Sequence, residues 1–436
     1  MPSDAGPSLT RRNVAKYAAM SGLLSIEPTA SQDEVRAAVR QWVTQHVPQA
    51  WRDAAERGGA AEIRKIRSRD DYLEWYPVYG ASGLVVPNWP REYCGLGLAN
   101  RMVRVIEEEL RPYNLGRLNA LGLNLAAPAL FAHGSEEQRL RFLPPIVRNE
   151  EKWCQMFSEP GAGSDLASLA TRAERDGDEW VLTGQKVWTT WAQESDYGVI
   201  LARTDADSPK RQGITYFLLH LHQPAVEIRP LKQMTGDVGE FNEVFLEGAR
   251  IPDSQRVGAI GDGWKVANAT LSGERQMVSG SGSGGVGRIG GVGIEALVRT
   301  ARDTGAWTDA NVRQRLMRLY SEDRIRDLTN QRVRATMRAG RSPGPESSIG
   351  KVHQGSLNQR LQEATIDLMG PGAMAWPETA DGELPYAVHG FLRSRANTIE
   401  GGTTEVNKNI LGERVLGLPR EPDPWHDKPW REVPRS

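Results

Sequence analysis

Cysteine, long apolar runs and an excess of one charge are all scarce in this sequence of 436 residues. Its two cysteines, Cys94 and Cys154, lack metal-ligand spacing and are too few for a disulfide framework, which favours a reducing, cytoplasmic compartment. No apolar stretch approaches the roughly 20 residues that a membrane-spanning helix needs. Basic residues number 54 and acidic residues 55, so no overall field favours nucleic acid or an anionic membrane surface.

Apolar residues recur at helical spacing through the first third of the chain, from about residue 33 to residue 149. Met102, Val103, Ile106 and Leu110 form one such stripe, the pattern of an amphipathic helix with one face on a core. This part of the chain is typical of a helical bundle.

Short β-prone runs separated by turn residues begin near Trp153. They lie at residues 180–182, 197–202, 214–221, 226–228 and 242–246. Because no helical pattern intervenes, this spacing predicts a compact antiparallel β domain.

Helical periodicity returns after Gly263. We expect a long charged helix there whose apolar residues share one face, and these are Val312, Leu316, Leu319, Tyr320 and Leu328. Further helices are predicted over 356–368 and 404–415. The tail beyond Pro419 carries four more prolines and is predicted to be extended.

The order of helices, then strands, then helices predicts an α+β protein. We expect an extension that is mobile, a helical domain, a β domain, a second helical domain and a tail, over 1–30, 31–150, 151–262, 263–420 and 421–436. Residues 280–285 match the dinucleotide-binding motif Gly-x-Gly-x-x-Gly by letter. That motif has meaning only between a strand and a helix, so in this low-complexity run after a helical segment we interpret it as a loop.

Two segments of the β region carry the chemistry. In the first, residues 155–165, two glycines flank an alanine and Ser164 and Asp165 follow. Such a turn lets backbone approach a bulky ligand and offers N–H and hydroxyl donors, although an ordinary β-turn has the same residues. The second, residues 182–190, sets Trp188 beside two threonines. This suits a planar heteroaromatic ring that needs hydrogen bonds, and a tryptophan packed in the sheet would look similar.

Together and at this spacing, the two segments closely resemble the flavin-binding signature of the acyl-CoA dehydrogenase family. The resemblance covers roughly residues 30 to 420 in the family's order, and its further segments are 213–218, 233–236, 243–245, 261–266, 399–405 and 409–420. It implies a helical N-terminal domain, a middle antiparallel β domain and a C-terminal four-helix bundle. It also implies flavin adenine dinucleotide (FAD) between the β domain and the C-terminal helices.

The resemblance also assigns individual residues. The positions that match flavin contacts are Gln155, Phe157, Ser158, Trp188, Thr190, Gly402, Thr403 and Glu405, with Trp188 and Thr190 against the isoalloxazine ring. The positions on the substrate side are Ser164, Arg275 and Gly401. The glycine and threonine positions fall where the last helix begins, and free N–H groups at a helix start suit phosphate or ring oxygens.

Two glutamates compete for the role of catalytic base. Oxidation of the α–β bond of an acyl-CoA needs a carboxylate at the α-carbon and donors for the thioester oxygen, with hydride passing from the β-carbon to flavin N5. In the commonest family pattern the base is a Glu followed by Gly-Thr. Here Gly401 stands at that position, and Glu400 lies one residue too early, about 100° away around a helix.

Glu274, in the segment Leu-Ser-Gly-Glu-Arg, matches a second arrangement that resembles isovaleryl-CoA and long-chain acyl-CoA dehydrogenases. We therefore predict Glu274 as the base, with Glu400, or neither residue, as open alternatives. The ordinary alternative for Glu274 is a helix-surface charge paired with a neighbour. Gly401 would leave space for a bulky or branched acyl group, and backbone N–H near it would bind the thioester oxygen.

One departure from the family concerns the dinucleotide. Family members usually carry Arg-x-x-Phe-Gly before the long helix, and that arginine reaches the flavin dinucleotide across a subunit interface, but residues 301–307 lack this spacing. Asp367 stands where many relatives have Gln. Either this protein holds the dinucleotide differently, or a non-identical subunit supplies the contact, as in the family's heteromeric steroid side-chain dehydrogenases. We expect acyl-CoA as substrate, an electron-transfer flavoprotein as partner, and a homo- or hetero-oligomer (dimer or tetramer).

Two other functions stay open at this point. One is a flavin oxidase or monooxygenase on the same scaffold, and the other is a non-catalytic subunit that completes a partner's flavin site. No metal site is expected. His220 and His222 form a His-x-His pair without acidic residues or cysteines in a matching pattern, so we interpret them as surface or edge-strand histidines.

Overall fold

The computed structural model describes residues 22–278, 291–338, 344–375 and 384–434, and the side chains of 272–278 and 337–338 lie outside this description. The expected mobile extension over 1–30 falls mostly, and the glycine-rich motif at 280–285 wholly, outside the described residues. The chain divides into two units. One comprises the residues up to Leu123 with Gly134–Trp153, and the other comprises Asn124–His133 with the residues from Cys154 onward.

Helices precede and follow one block of strands, which confirms the predicted α+β order. The helices are α1 (Gln32–His46), α2 (Gln49–Gly58), α3 (Ala60–Ile66), α4 (Arg69–Ala81), α5 (Asn100–Leu110), α6 (Ala127–His133), α7 (Glu136–Arg148), α8 (Gly263–Val278), α9 (Ile294–Asp303), α10 (Ala310–Arg338), α11 (Ser348–Met369), α12 (Tyr386–Ser394) and α13 (Thr404–Arg414). The strands are β1 (Trp153–Met156), β2 (Arg172–Asp176), β3 (Glu179–Thr190), β4 (Tyr197–Arg203), β5 (Ile214–His220), β6 (Val226–Lys232), β7 (Val238–Pro252) and β8 (Arg256–Val257). Within the described ranges, none of the helices combines the length and the apolarity of a membrane span.

Local sequence explains how the first helix begins. Ser31 accepts a hydrogen bond from the Glu34 backbone N–H, and the Glu34 carboxylate accepts one from the Ser31 N–H. This capping box satisfies two backbone donors that the helix itself leaves without partners. Val35 and Val39, on the apolar stripe of α1, are buried within the first unit.

The strands form one eight-stranded sheet in the order β6-β7-β3-β2-β4-β5-β8, with β1 paired to β4. Strands β2 and β4 meet in parallel at Arg172 and Arg203, whereas the pairs β2–β3, β3–β7, β6–β7, β4–β5 and β5–β8 are antiparallel. Strand β4 is buried along its whole length and β6, at the edge, is not. Burial of both faces explains why β4 has a continuous apolar run instead of alternating residues.

The long helix α10 differs from its predicted apolar face. Leu319 is buried in a cluster with α9 and α11, but Tyr320 and Leu328 are exposed. Because successive residues turn about 100° around a helix, Leu328 lies about 180° from Leu319, on the opposite side. The buried face continues instead through polar residues such as Arg326, whose guanidinium is paired with Asp323 at 2.8 Å.

The C-terminal tail departs from the extended conformation that its prolines predict. Its end folds back onto the β domain, where Pro429 forms an isolated bridge with Pro209. The next residue, Trp430, begins a short 3-10 turn and is buried. Burial of this large aromatic side chain holds the end of the tail against the β domain.

Candidate functional site

Trp188 is exposed at a break in the pairing between β3 and β7. The β3–β7 register shifts between Lys186 and Thr189, so the residues between them bulge out of the ladder. Trp188 has a φ of 59°, a left-handed conformation that is uncommon for a bulky residue. Its side chain is 60% exposed, and its ring lies edge-on to Phe241 with centroids 5.9 Å apart. A strained backbone that displays an aromatic ring is typical of a ligand-binding position.

The backbone joins the two predicted flavin-binding segments. The Val187 N–H donates to the Ser158 carbonyl at 3.0 Å, so the end of the first segment lies beside the Trp188 bulge. Gln155 in β1 and Thr190 at the end of β3 are half-buried. The structure therefore brings a hydroxyl residue from each segment close to one exposed aromatic ring.

A buried ion pair holds the first segment against β3. Lys186 Nζ lies 2.8 Å from Glu159 Oε1 and donates to the Phe157 carbonyl at 3.2 Å, and both charged side chains are buried. The Glu159 carboxylate also accepts from the backbone N–H groups of Ala170 (2.6 Å) and Thr171 (2.9 Å). Burial alone would raise the pKa of the Glu159 carboxyl, but Lys186 and these donors outweigh it and hold that pKa below its usual range.

Strand β5 connects the first segment to helix α8. The Phe157 ring lies edge-on to Tyr216 with centroids 6.0 Å apart, and Tyr216 Oη lies 3.0 Å from Thr270 Oγ1 in α8. Thr270 in turn donates to the Leu125 carbonyl at 3.1 Å. Burial raises the pKa of the Tyr216 hydroxyl, so it remains a neutral hydrogen-bonding group at physiological pH. These contacts fix helix α8 against the strand that supports Phe157.

The residues expected on the substrate side are spread over three elements. Glu274 and Arg275 lie in α8, one turn and a little more after Thr270, and their side chains lie outside the described residues. Ser164 is exposed in the loop between β1 and β2, and Gly401 lies in the turn before α13.

The carboxylate of Glu400 is engaged by two neighbours. Arg393 Nη2 lies 2.9 Å from its Oε2, and Asn397 Nδ2 donates to its Oε1 at 2.8 Å. The Arg393 guanidinium also lies 5.8 Å from the centre of the Phe241 ring, which is the ring in contact with Trp188. A continuous set of contacts therefore links the Trp188 bulge to the turn before α13.

Two consecutive left-handed glycines shape that turn. Gly401 has a φ of 63° and Gly402 a φ of 83°, values that side chains disfavour. Thr403 then caps α13, because its hydroxyl accepts from the Val406 N–H at 3.2 Å. Glu405 is exposed in the first helical turn, where its charge favours the helix dipole.

Substitution of Gly402 by alanine is expected to destabilise the protein by about 1–2 kcal/mol, the penalty of a left-handed conformation for a residue with a Cβ. A Cβ there would also lie 3.1 Å from Asn407 Nδ2, which donates to the Gly402 and Thr403 carbonyls. Urea unfolding followed by tryptophan fluorescence measures the change. Gly116→Ala is the control, since no atom lies within 4 Å of its added Cβ and its φ is ordinary. Equal unfolding midpoints for both variants would contradict the expectation.

Sequence reasoning missed Phe241, Arg393 and the Glu159–Lys186 pair. Lys186 carried a usable signal, because it shares a strand face with the buried Leu182 and a lysine on that face needs a partner. For Phe241 and Arg393 no local pattern pointed to the site.

At the two positions where the sequence departs from the family pattern, the side chains contact residues of the same chain. The Arg302 guanidinium lies 5.0 Å from the centre of the Trp307 ring, and Asp367 is paired with Arg315 of α10. The Asp367 side chain is 62% exposed, so its charge is also in contact with solvent.

His220, at the end of β5, is half-buried, and His222, two residues later, is exposed. The rings of His220 and His222 lie 5.3 Å apart, and His222 Nε2 lies 3.0 Å from Asp196 Oδ1. In the part of the chain that the structure describes, no group of three or more His, Cys, Asp or Glu side chains could hold a metal ion.

Comparison with protein families gives three matches in chain order. The models of the acyl-CoA dehydrogenase N-terminal, middle and C-terminal domains match residues 29–150, 154–248 and 261–416. Together they span most of the chain.

Individual relatives agree with the family models. Acyl-CoA dehydrogenase IpdE1 of Mycobacterium tuberculosis is 41% identical over 397 residues, which cover 89% of this chain and 98% of the relative. Acyl-CoA dehydrogenase FadE34 of the same organism is 40% identical over 340 residues, 78% of this chain and 45% of the relative. Among solved structures, the Tcur3481–Tcur3483 steroid ACAD is 28% identical with a TM-score of 0.68, covering 91% of this chain and 100% of its own. The ChsE4–ChsE5 complex from Mycobacterium tuberculosis is 26% identical with a TM-score of 0.63 at the same coverage.

Proposed function

The chain belongs to the acyl-CoA dehydrogenase family, and on that premise we propose that it oxidises the α–β bond of a bulky acyl-CoA thioester with Glu274 as the base. Members of the family are FAD-dependent flavoproteins, so the chain is an FAD-dependent oxidoreductase acting on acyl-CoA. The substrate class and the base are the parts that we propose.

The residues at the Trp188 bulge fit a flavin. An exposed aromatic ring lies beside Ser158. Two buried oxygen atoms have no hydrogen-bond partner among the described residues: Thr189 Oγ1, next to Trp188 in the chain, and Asn407 Oδ1, in the first turns of α13. Trp188, Thr190, Gln155, Phe157 and Ser158 would hold the ring, and the capped start of α13 would face its oxygens. Bound FAD supplies the acceptor for the hydride that leaves the β-carbon.

One observation carries the choice of base, namely the contact from Phe157 through Tyr216 to Thr270. It supports a position of helix α8 beside the flavin-lining segment, and Glu274 follows Thr270 by four residues in that helix. The Glu274 carboxylate takes the α-proton in the proposed reaction, where general-base catalysis contributes roughly 10²- to 10⁴-fold. Glu400, whose oxygens are bound by Arg393 and Asn397, instead holds the turn before α13.

The glycine turn completes the proposed site. Backbone N–H near Gly401 donates to the thioester oxygen as negative charge grows on it. Since Gly401 has no side chain at the position where most family members carry their base, the turn leaves room for a large acyl group. The 28% identity with a structure described as a steroid ACAD supports a polycyclic acyl group.

A second, different subunit is part of the proposal. Two similar solved structures have two-component titles, Tcur3481–Tcur3483 and ChsE4–ChsE5. This chain lacks the family's Arg-x-x-Phe-Gly spacing, and Arg302 is stacked on Trp307 of its own chain. The partner subunit would supply the missing contact to the dinucleotide, and an electron-transfer flavoprotein would reoxidise the flavin.

Anaerobic mixing of the flavin-loaded protein with acyl-CoA thioesters tests the function. We expect a polycyclic acyl-CoA to bleach the flavin absorbance with a second-order rate constant roughly tenfold or more above that of octanoyl-CoA, because pocket contacts discriminate by about this much. Absence of bleaching with any thioester would overturn the proposed activity. Rapid reoxidation in air with peroxide release would favour the oxidase alternative, and stoichiometric flavin in the chain expressed alone would remove the need for a second subunit.

A further inference from the structure

The C-terminal tail ends on the β domain beside the loop that carries Ser164. The Trp430 N–H donates to the Ser208 carbonyl at 3.0 Å, and the Arg431 N–H donates to the Ala206 carbonyl at 3.2 Å. These bonds join the tail to the turn between β4 and β5 by main-chain contacts. The tail is therefore docked in a defined register on that turn.

The Trp430 side chain reaches past this turn to the Ser164 loop. It is buried, its indole Nε1–H donates to the Ser168 carbonyl at 3.2 Å, and its ring centre lies 4.4 Å from the Arg203 guanidinium carbon. A buried indole that donates one hydrogen bond and stacks on a cation is held by both interactions, as tryptophans at interfaces commonly are.

Arg203, the residue against the Trp430 ring, also binds the loop that follows Ser164. Its guanidinium is buried and donates to the carbonyls of Ala167 (2.7 Å), Leu169 (3.0 Å) and Lys210 (3.0 Å). Together with the hydrogen bond from Trp430 to Ser168, these bonds engage three consecutive carbonyl groups of the loop, those of residues 167–169. Loss of a donor here would leave a buried carbonyl without a partner, which is costly because water does not reach it.

The supported turn begins directly after Ser164. Asp165, the next residue, accepts hydrogen bonds from the Ser168 hydroxyl and from Lys210 Nζ, the latter at 2.6 Å. Lys210 is also the residue whose carbonyl Arg203 binds. Ser164 is thus the exposed residue before a turn in which Arg203 binds the Ala167 and Leu169 carbonyls and Trp430 binds the Ser168 carbonyl.

We propose that Trp430 is a positioning residue for acyl-CoA binding, which holds the loop over residues 160–169 and thereby Ser164 in the conformation that accepts the substrate. The inference rests on the proposed function, in which Ser164 contacts the acyl-CoA. The physical reason is preorganisation, because a loop that is ordered before binding loses less conformational entropy when the ligand arrives. The tail has this effect without touching the substrate.

The test compares three variants of the full-length, flavin-loaded protein. Trp430→Ala removes both contacts, Trp430→Phe keeps the ring and removes the N–H donor, and Trp425→Ala removes an exposed tail tryptophan as the matched control. Coenzyme A is the binding probe in calorimetry, and hydrogen–deuterium exchange of residues 161–169 reports the loop directly. Flavin content, melting temperature and kcat at saturating thioester are measured alongside.

We expect Trp430→Ala to weaken coenzyme A binding about tenfold and to speed exchange of the loop amides by a similar factor, with flavin content and kcat retained. Trp430→Phe should fall between this variant and wild type. The proposal is overturned if Trp430→Ala matches Trp425→Ala in both readouts, or if it lowers flavin content, kcat and melting temperature together without changing coenzyme A affinity. If the wild-type protein binds no coenzyme A, the substrate assignment of the proposed function fails, and the exchange comparison by itself decides whether Trp430 orders the loop.

Discussion

Replacement of Glu274 by glutamine is expected to lower kcat for thioester oxidation by roughly 10²- to 10⁴-fold while the flavin stays bound. Glutamine has nearly the same size and shape as glutamate but cannot accept the α-proton, so in the proposed mechanism the change removes proton transfer with little change in side-chain volume. Single-turnover mixing under anaerobic conditions measures the rate of flavin bleaching directly. Flavin content, read from the absorbance of the purified variant, shows whether the site is intact.

The matched control is Glu400→Gln. Glu400 is bound by Arg393 and Asn397, so the variant loses an ion pair and is expected to lose stability and less than about tenfold in rate. The reverse pattern, a large loss with Glu400→Gln and a small one with Glu274→Gln, would assign proton transfer to Glu400. If neither variant slows bleaching, neither glutamate is the base and the proposed assignment of Glu274 fails.

Substitution of Lys186 by methionine is expected to destabilise the protein by about 3–5 kcal/mol, because it leaves the Glu159 carboxylate buried without its cation. Lys186 is fully buried and bridges Glu159 to the Phe157 carbonyl, so flavin retention should also fall. Urea unfolding of the apoprotein measures the stability and excludes the contribution of bound flavin. The control is Lys210→Met, since its pair with Asp165 is partly exposed and pairs of that kind contribute about 0–1 kcal/mol.

The same pair predicts a pH dependence. The pKa of Glu159 is held below its ordinary value in the folded protein, so the pair stabilises the fold fully above the ordinary carboxyl range. That contribution is lost as the pH falls through the lowered folded-state pKa. In Lys186→Met the carboxyl can protonate at a higher pH, so the difference in unfolding free energy between wild type and variant should shrink towards acidic pH. A difference that stays constant down to pH values below the ordinary pKa of Glu would contradict this account.

The double variant Glu159→Gln with Lys186→Met should recover part of the stability lost in Lys186→Met, because both charges are then gone.

Several elements followed from local sequence because neighbours in the chain decide them. The stripe of Val35 and Val39 specifies one face of α1, and Ser31 with Glu34 specifies where that helix begins. The β-prone runs between residues 180 and 246 gave strands in the described structure because their turn residues and β-branched side chains act over a few positions. Helix α10 shows the limit of this reasoning. Its apolar residues were assigned to one face, but packing buries Leu319 and Arg326 and exposes Leu328.

For the candidate site, too, some features follow from local sequence and others depend on the fold. The positions of Trp188, Ser158 and Gly401 were available from motifs, since a motif lists residue types at fixed spacing. Their geometry was not. The bulge that turns Trp188 outward depends on the register between β3 and β7, which is set by residues far apart in sequence.

The sequence by itself determined the order of elements, the family resemblance and the residue types available for flavin and thioester chemistry. The tertiary structure alone decided that Lys186 is buried against Glu159 and that Trp430 meets Ser168 across 262 residues of chain. The reason is physical. Hydrophobic periodicity and helix capping depend on residues only a few positions apart. A buried charge or indole meets a partner that is distant in sequence, and the two come together only when the β domain folds and water is excluded from both.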